Sequence, residues 1–518
     1  MKQKVKTLIL WIIFFIISLY LAGSYATTHY GFDTDLFWHL KIGKDILTQK
    51  RIFLQNDYTW LSNTIWSQQE WLFDVLLYIV ATFFGIAGFF IIHLIPQYLL
   101  IGINLSEQKY HFDLMFPIVC FLIYKFLPFN NLNRPAEFSS YLFLLIFFLY
   151  DKTYNWKPLL YFAVGVFIAN FHCGAAVPLF VCIVLLFVLD IILNLMFFKI
   201  NNKPMTISKK FFLQYLTGIV LFIFGLFINP YGWRQVKDMF CVINLDSTKY
   251  INEWQPLSSD NYFVWILILI LAYSFGYALN KHKWNKTETL RILMLSAFFV
   301  LSLTCLKSFI IFFYIYIVYG YKYLDEMLYD FIQKINLKTI ANKVHFSFPS
   351  YMPHKNGVYM LTFVCAAWFS LIVGVYNSAS IPVMMARSNH YASEKTIDYL
   401  KNVQEESDDF RIFNGYVTGN ILLYNDVKCF IDTRQFPYAK EFMWSKALDD
   451  YDDSIYMGKK YNMKVMDKFF NKYKFTYALS NKETDINWYL SQKKKDWHLV
   501  YSHNGEYVWQ RLTDTTYD

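Results

Sequence analysis

Apolar runs separated by short polar breaks dominate the chain as far as residue 376, and a polar, alternating pattern follows. The runs are Thr7–Ala26, Trp71–Ile103, Leu114–Phe129, Phe138–Tyr150, Pro158–Phe198, Phe211–Ile228, Tyr262–Leu279, Ile292–Tyr319 and Gly357–Tyr376. A membrane-crossing helix needs about 20 apolar residues. Pro158–Phe198 is therefore long enough for two, broken at NFHCG (Asn170–Gly174). Ile292–Tyr319 holds two only if 287–291 and 321–323 supply helical ends, with the break at Lys307. The pattern predicts an α-helical polytopic membrane protein with eleven transmembrane helices in residues 1–376.

Residues 377–518 read differently. Arg411–Asn414, Asn420–Tyr424, Lys428–Asp432 and Phe475–Leu479 read as strands, Glu441–Asp450 and Met463–Lys472 as helices. Trp497–Ser502 and Glu506–Arg511 read as a hairpin across HNG. This is the pattern of a small α/β domain.

Composition supports a membrane class: 56% hydrophobic and 17% charged residues, with 52 Phe and 41 Tyr. The formal charge of +9 does not imply nucleic acid, because Lys and Arg are denser in one set of loops. On the eleven-helix topology, segments 1–6, 104–113, 151–158, 199–210, 280–291 and 321–357 carry basic residues at about twice the density of the others. That places the N-terminus in the cytoplasm and the C-terminal domain outside the cell membrane. Thr7–Ala26 lacks a clean small-x-small site and reads as a retained helix. Seven scattered cysteines do not form a disulfide framework, and no Walker loop or zinc-type Cys pair is present.

The first outer loop, 27–73, is far longer than a connection requires. It gathers Asp33, Asp35, His39, Asp57 and Glu70 among aromatic residues. Leu36–Leu47 has helical apolar spacing and predicts a short helix in the membrane interface, with Asp35 at its start and Asp45 on its solvent side. Asp35 there is either a helix cap or an active carboxylate. Arg134 in NNLNRPAE and Lys307 would sit on the same membrane face, where a cation either binds a lipid phosphate or snorkels to headgroups. His39 and His172 read as catalytic groups or as structural hydrogen-bond partners. Glu70 and Glu253 each precede an interfacial Trp. With Asp35 they could bind sugar hydroxyls or a divalent cation, the one cofactor the pattern suggests.

DLFWHLKIGK and QEWL after a first outer loop bearing aspartate resemble bacterial integral-membrane glycosyltransferases of the GT-C superfamily. NRPAEFSSYL, NFHCG, NPYGW and FNGYVTGNILLYNDVKCFIDTRQFPY resemble further blocks of one bacterial branch, in the same order over nearly the whole chain. The resemblance implies a polyprenyl-phosphate-linked sugar donor and an envelope glycan, lipid or protein acceptor. It implies Asp35 as base, with Asp33 the neighbouring candidate, and Arg134, Lys307 and Arg234 as contacts to the lipid phosphate. The chain departs from the branch at Gln69, where His is expected, at Lys307, where Arg is expected, and at Thr433, where Gly is expected. Two other classes are compatible with the sequence. A lipid or glycan flippase would need ionisable residues near mid-membrane and repeated broken helices. A non-catalytic envelope assembly protein would work through its C-terminal domain.

Overall fold

The computed structural model describes residues 35–52, 56–61, 67–83, 134–150, 154–201, 209–244, 255–256, isolated positions between 265 and 280, 286–334, 392–439, 446–456 and 462–512. The expected spans at Thr7–Ala26, Leu114–Phe129 and Gly357–Tyr376, most of Tyr262–Leu279 and the boundary at 376 lie outside these residues.

The helices of the first part are α1 (Asp35–Gln49), α2 (Trp71–Phe83), α3 (Pro135–Leu149), α4 (Lys157–Phe171), α5 (Ala176–Asn201), α6 (Lys209–Leu226), α7 (Trp233–Asn244), α8 (Lys286–Thr304), α9 (Phe309–Tyr319) and α10 (Tyr321–Lys334). Among the described residues three helical stretches are long and apolar enough to cross a membrane: Cys173–Met196, Lys209–Leu226 and Lys286–Thr304. Shorter apolar helices occupy Trp71–Phe83, Phe138–Phe147, Lys157–Phe171 and Leu306–Tyr316. Helices α4 and α6 approach closely because Gly165 and Gly225 face each other. A Cβ on Gly165 would strike the carbonyl of Phe222, and one on Gly225 the carbonyl of Phe162.

Both expected helix breaks are present. α4 ends at Phe171, His172 is extended, and a 3₁₀ turn, Cys173–Ala175, leads into α5. α8 ends at Thr304, and Leu306–Ser308 turns into α9. The amide of Asn170 ties the first break to Ile228, at 2.7 Å, while its oxygen accepts from Trp71 at 2.9 Å. The amide of Leu306 at the second break bonds the carbonyl of Gln255 at 3.0 Å.

The C-terminal part contains α11 (Glu394–Glu406), β1 (Ile412–Phe413), α12 (Thr418–Tyr424), α13 (Ala447–Tyr451), α14 (Met463–Tyr473), β2 (Tyr477–Asn481), α15 (Asp485–Gln492), β3 (Trp497–His503) and β4 (Glu506–Arg511). The sheet order is β1-β2-β4-β3. β1 and β2 are parallel, and the other pairs antiparallel. The expected hairpin turns through Asn504 and Gly505, both at positive φ, as a tight two-residue turn requires. Two expected strands are corrected. Asn420–Tyr424 is part of α12: a short apolar run does not distinguish strand from helix, and here five consecutive residues, Gly419 to Leu423, are buried between α1 and Ile431. Lys428–Asp432 is irregular rather than a sheet strand, and its one β-bridge among the described residues joins Cys429 to Thr59. Of the expected helix Glu441–Asp450, residues 441–445 lie outside the described residues and α13 covers 447–450; α11 and α15 are helices that the sequence reading did not single out. The start of α11 is held by Glu506 of β4, which accepts from Ser393 N at 2.8 Å and Ser393 Oγ at 2.7 Å. That partner is over a hundred residues away in the chain.

α1 forms where periodicity predicts it, but it is not a surface helix. Leu36 to Gly43 are all buried. Asp45, read as solvent-facing, is buried as well: it pairs with Lys41 at 2.8 Å and accepts from Tyr58 Oη at 2.9 Å. Trp38, Ile42 and Ile46 pack on Leu423 of α12, and Lys41 reaches Asp426 at 2.6 Å. The loop after α1 threads into the C-terminal part as well. Trp60 Nε1 donates to Ile412 O at 3.0 Å, and Thr59 Oγ1 to Cys429 O at 2.8 Å.

Candidate active site

Four helix starts and breaks converge: the first residue of α1, the residue before α3, the break between α4 and α5, and the break between α8 and α9. Each is where backbone leaves helical geometry and a polar side chain can be presented without a following turn beneath it. Asp35 opens α1. Arg134 stands before Pro135, whose fixed φ starts α3. Its guanidinium lies 3.2 Å from Asp35 Oδ2. The other carboxylate oxygen of Asp35 accepts a hydrogen bond from the Thr433 hydroxyl, so the C-terminal part reaches into the same site.

One helical turn further in sits a second group. Glu70 precedes α2 and lies between two imidazoles, 3.9 Å from His39 Nε2 and 3.7 Å from His172 Nε2. His39 Nδ1 is 2.5 Å from Asp74, itself hydrogen-bonded by Gln68. His172 Nδ1 is 2.6 Å from Ser139 Oγ. Burial pushes the Glu70 carboxyl up to about 8, with the negative charge of Asp35 adding to the rise and Lys307 and Arg134 opposing it. Burial takes the His172 imidazole down to about 3, helped by the charges of Lys307 and Arg134. His39 is lowered too, by burial and then by Arg134 and His172. At neutral pH the arrangement is thus a protonated Glu70 between two neutral imidazoles, beside the ionic pair of Asp35 and Arg134 and in the field of Lys307.

Of the residues singled out in the sequence, Asp35, His39, Glu70, Arg134 and His172 are brought together, and Lys307 acts on them electrostatically. Arg234 is placed against Ser67 at 3.2 Å and Asp238 at 3.9 Å. Asp57 belongs to the surface, paired with Arg51 at 3.5 Å. Asp33 and Glu253 lie outside the described residues. Gln69 stands immediately before Glu70 where a histidine is expected, yet two imidazoles from elsewhere in the chain flank the carboxyl. Sequence reading noted Thr433 only as a departure from an expected glycine, and missed Asp74, Ser139, Tyr416 and Asn420. Asp74 was within reach, because it is four residues after Glu70 and so on the same helix face. Tyr416 Oη donates to Thr433 O at 3.2 Å. Among the described residues no group of three or more His, Cys, Asp and Glu could hold a metal ion. Arg134 and Lys307 in the same field also oppose a dication, so no step is assigned to one.

No family model matches the sequence, and no curated protein matches it. The fold, however, is similar to that of a solved archaeal oligosaccharyltransferase. The oligosaccharyltransferase AglB of Archaeoglobus fulgidus, in complex with an inhibitory peptide and a dolichol-phosphate, is similar with a TM-score of 0.52 and 12% identity, over 99% of this chain and 75% of that one. The Archaeoglobus fulgidus enzyme tethered to an acceptor peptide containing the NVT sequon gives 0.50 and 12% identity, over 98% and 74%. At this identity the likeness is one of fold.

Proposed function

We propose that the protein is a membrane glycosyltransferase that moves a sugar from a polyprenyl-phosphate donor to an acceptor hydroxyl on the outer face of the cell membrane. The observation that carries this reading is the Asp35–Arg134 pair at a helix start, a carboxylate and a guanidinium 3.2 Å apart in a fold similar to that of the archaeal oligosaccharyltransferase. Asp35 takes the acceptor hydroxyl proton. The acceptor oxygen bonds to the anomeric carbon from the face opposite the leaving group, and the bond from that carbon to the phosphate oxygen breaks. Its electron pair leaves on polyprenyl phosphate, so the product is inverted. The guanidinium of Arg134 has five N–H donors, more than one carboxylate can take, and with Lys307 it stabilises the charge that grows on the departing phosphate. Glu70, neutral between its imidazoles, leaves that positive field undiminished. Arg234 has a lesser place, since its described partners are Ser67 and Asp238. Residues 377–518 select the acceptor from the outer side.

The test is transfer from radiolabelled hexosyl and pentosyl polyprenyl phosphates to envelope fractions. Asp35→Asn keeps the size and hydrogen-bond acceptor but cannot take a proton, and is expected to lose about 10²–10⁴ in rate with its melting temperature kept. Arg134→Ala and Lys307→Ala are expected to weaken donor use, and Lys203→Ala to leave it unchanged. Full activity in folded Asp35→Asn removes the reading of Asp35 as base.

A further inference from the structure

Thr433 stands where a glycine was expected, in an irregular segment that secondary structure does not fix. Its position is nevertheless tightly set. Upstream, Gly419 of α12 packs so closely on the carbonyl of Ile431 that a Cβ would not fit. Downstream, Asp432 is wrapped by Arg434, through Nε at 2.7 Å and Nη2 at 2.5 Å, and by Tyr438 Oη at 2.5 Å. All three of these side chains are buried.

Between those anchors, the hydrogen bonds set the direction of the Thr433 hydroxyl. The backbone N–H of Thr433 donates to Asn420 Oδ1 at 3.1 Å, which makes that atom of the side-chain amide the acceptor. The amide nitrogen of Asn420 is then the atom that faces Thr433 Oγ1, 2.7 Å away, and it donates there. The hydroxyl proton then has two acceptors in reach, Asn420 Oδ1 at 3.0 Å, which already accepts from Thr433 N–H, and Asp35 Oδ1, and the charged carboxylate is the stronger acceptor. Asn420 is fully buried and cannot relax to water. Asp35 is therefore held at both oxygens, by Thr433 on one and Arg134 on the other.

We infer that Thr433 is a positioning residue for Asp35, through which the C-terminal part of the chain completes the active site. The inference rests on the reading of Asp35 as base. A carboxylate held only by an arginine tends to turn both oxygens onto the guanidinium fork. The Thr433 hydroxyl opposes that turn. It keeps one oxygen away from Arg134, and a carboxylate oxygen has a second lone pair for the acceptor hydroxyl. Misplacement of a reacting group by about 1 Å can cost about 10²-fold in rate.

The experiment compares Thr433→Val, Thr433→Ala and Thr433→Ser in the full-length protein, assayed with radiolabelled hexosyl and pentosyl polyprenyl phosphates, with unglycosylated polyprenyl phosphate as a binding probe. Thr433→Val is expected to lower kcat about 10- to 100-fold. KM and polyprenyl phosphate binding should stay within about twofold of wild type, because Arg134 and Lys307 are intact. Thr433→Ser is expected to restore most of kcat. In the Asp35→Asn background, Thr433→Val should add no further loss, whereas a merely structural defect would add to it. Thr433→Ala removes the same hydroxyl if the valine variant fails to melt cooperatively. Wild-type kcat in a folded variant without the hydroxyl, or equal losses in the serine and valine variants, overturns the inference while Asp35→Asn remains inactive. Full activity of Asp35→Asn, or no transfer by the wild type from any donor, overturns the inference together with the function it rests on.

Discussion

Glu70 sits beside the reacting groups with its carboxyl moved by its surroundings into the neutral pH range. Its carboxyl titrates near 8 in the folded protein against 4.5 in the open chain. Between those values the folded state holds the proton and the unfolded state does not, so stability falls as pH rises. His172, lowered from 6.5 to about 3, works in the opposite direction, and its contribution is complete above 6.5. His39 shifts the same way. Above pH 6.5 the histidine contributions are therefore complete, and the decline that remains in this cluster comes from Glu70 together with Asp74, whose carboxyl burial also raises. Between about pH 6.5 and 8 wild type should lose up to about 1.4 kcal/mol per pH unit through Glu70. Glu70→Gln, which keeps the neutral form's shape, should make the decline shallower. Melting temperature in detergent across that window checks it, and an unchanged slope would mean that Glu70 is ionised at neutral pH. Asp35, Glu70, Arg134, His172 and Lys307 were legible in the sequence because each interrupts an apolar pattern or opens a helix. Asn420 was not, and Thr433 stood out only as a departure from an expected glycine, with no role attached. Thr433 is 398 residues from Asp35, and nothing local marks a threonine that turns its hydroxyl outward.

At the scale of elements, α1 shows where periodicity stops being informative. The spacing of Leu36, Leu40 and Ile46 gives the helix but not what covers its opposite side. A polar face reads as solvent-facing, yet Lys41 and Asp45 are covered by Tyr58, Asp426 and α12. Asp45→Asn, which a solvent-facing helix would tolerate, should lower stability by about 1–3 kcal/mol, because a charge-assisted, buried network loses its anion. Lys41 retains Asp426, which keeps the cost below that of a fully orphaned charge. Thermal unfolding of the variant checks this. The long apolar helices were easier to read. Breaks at Asn170–Gly174 and Lys307 stand out within apolar runs, and both appear as 3₁₀ turns. Asn420–Tyr424 failed because five apolar-rich residues fit either period, and only packing against α1 and Ile431 decides for helix.

Over the whole molecule, the loop after α1 is shared between the helical part and the C-terminal sheet. Trp60 stacks on Phe430, with ring centroids 5.6 Å apart, meets Phe475 edge-on at 5.7 Å, and bonds the carbonyl of Ile412. Trp60→Ala should loosen this seam by a few kcal/mol, about 3–5 for a fully packed tryptophan and less for this partly buried one. Limited proteolysis should then release a fragment from the region 392–512 sooner than from wild type. An unchanged digestion pattern would show that α1 and α12 hold the two parts together without Trp60.

That seam joins residues made far apart in time. Tyr58 to Trp60 are translated about 370 residues before Cys429, their partner. At the usual 5–20 residues per second, the early loop waits roughly 20 to 70 s on a nascent chain before its mate leaves the ribosome. During that interval Asp35 lacks Thr433, Lys41 lacks Asp426, and the aromatic face of Trp60 has no cover. The seam therefore closes only once the C-terminal part has been made, and a chain stopped before β1 would carry α1 to α10 yet leave the loop after α1 exposed to chaperones and proteases.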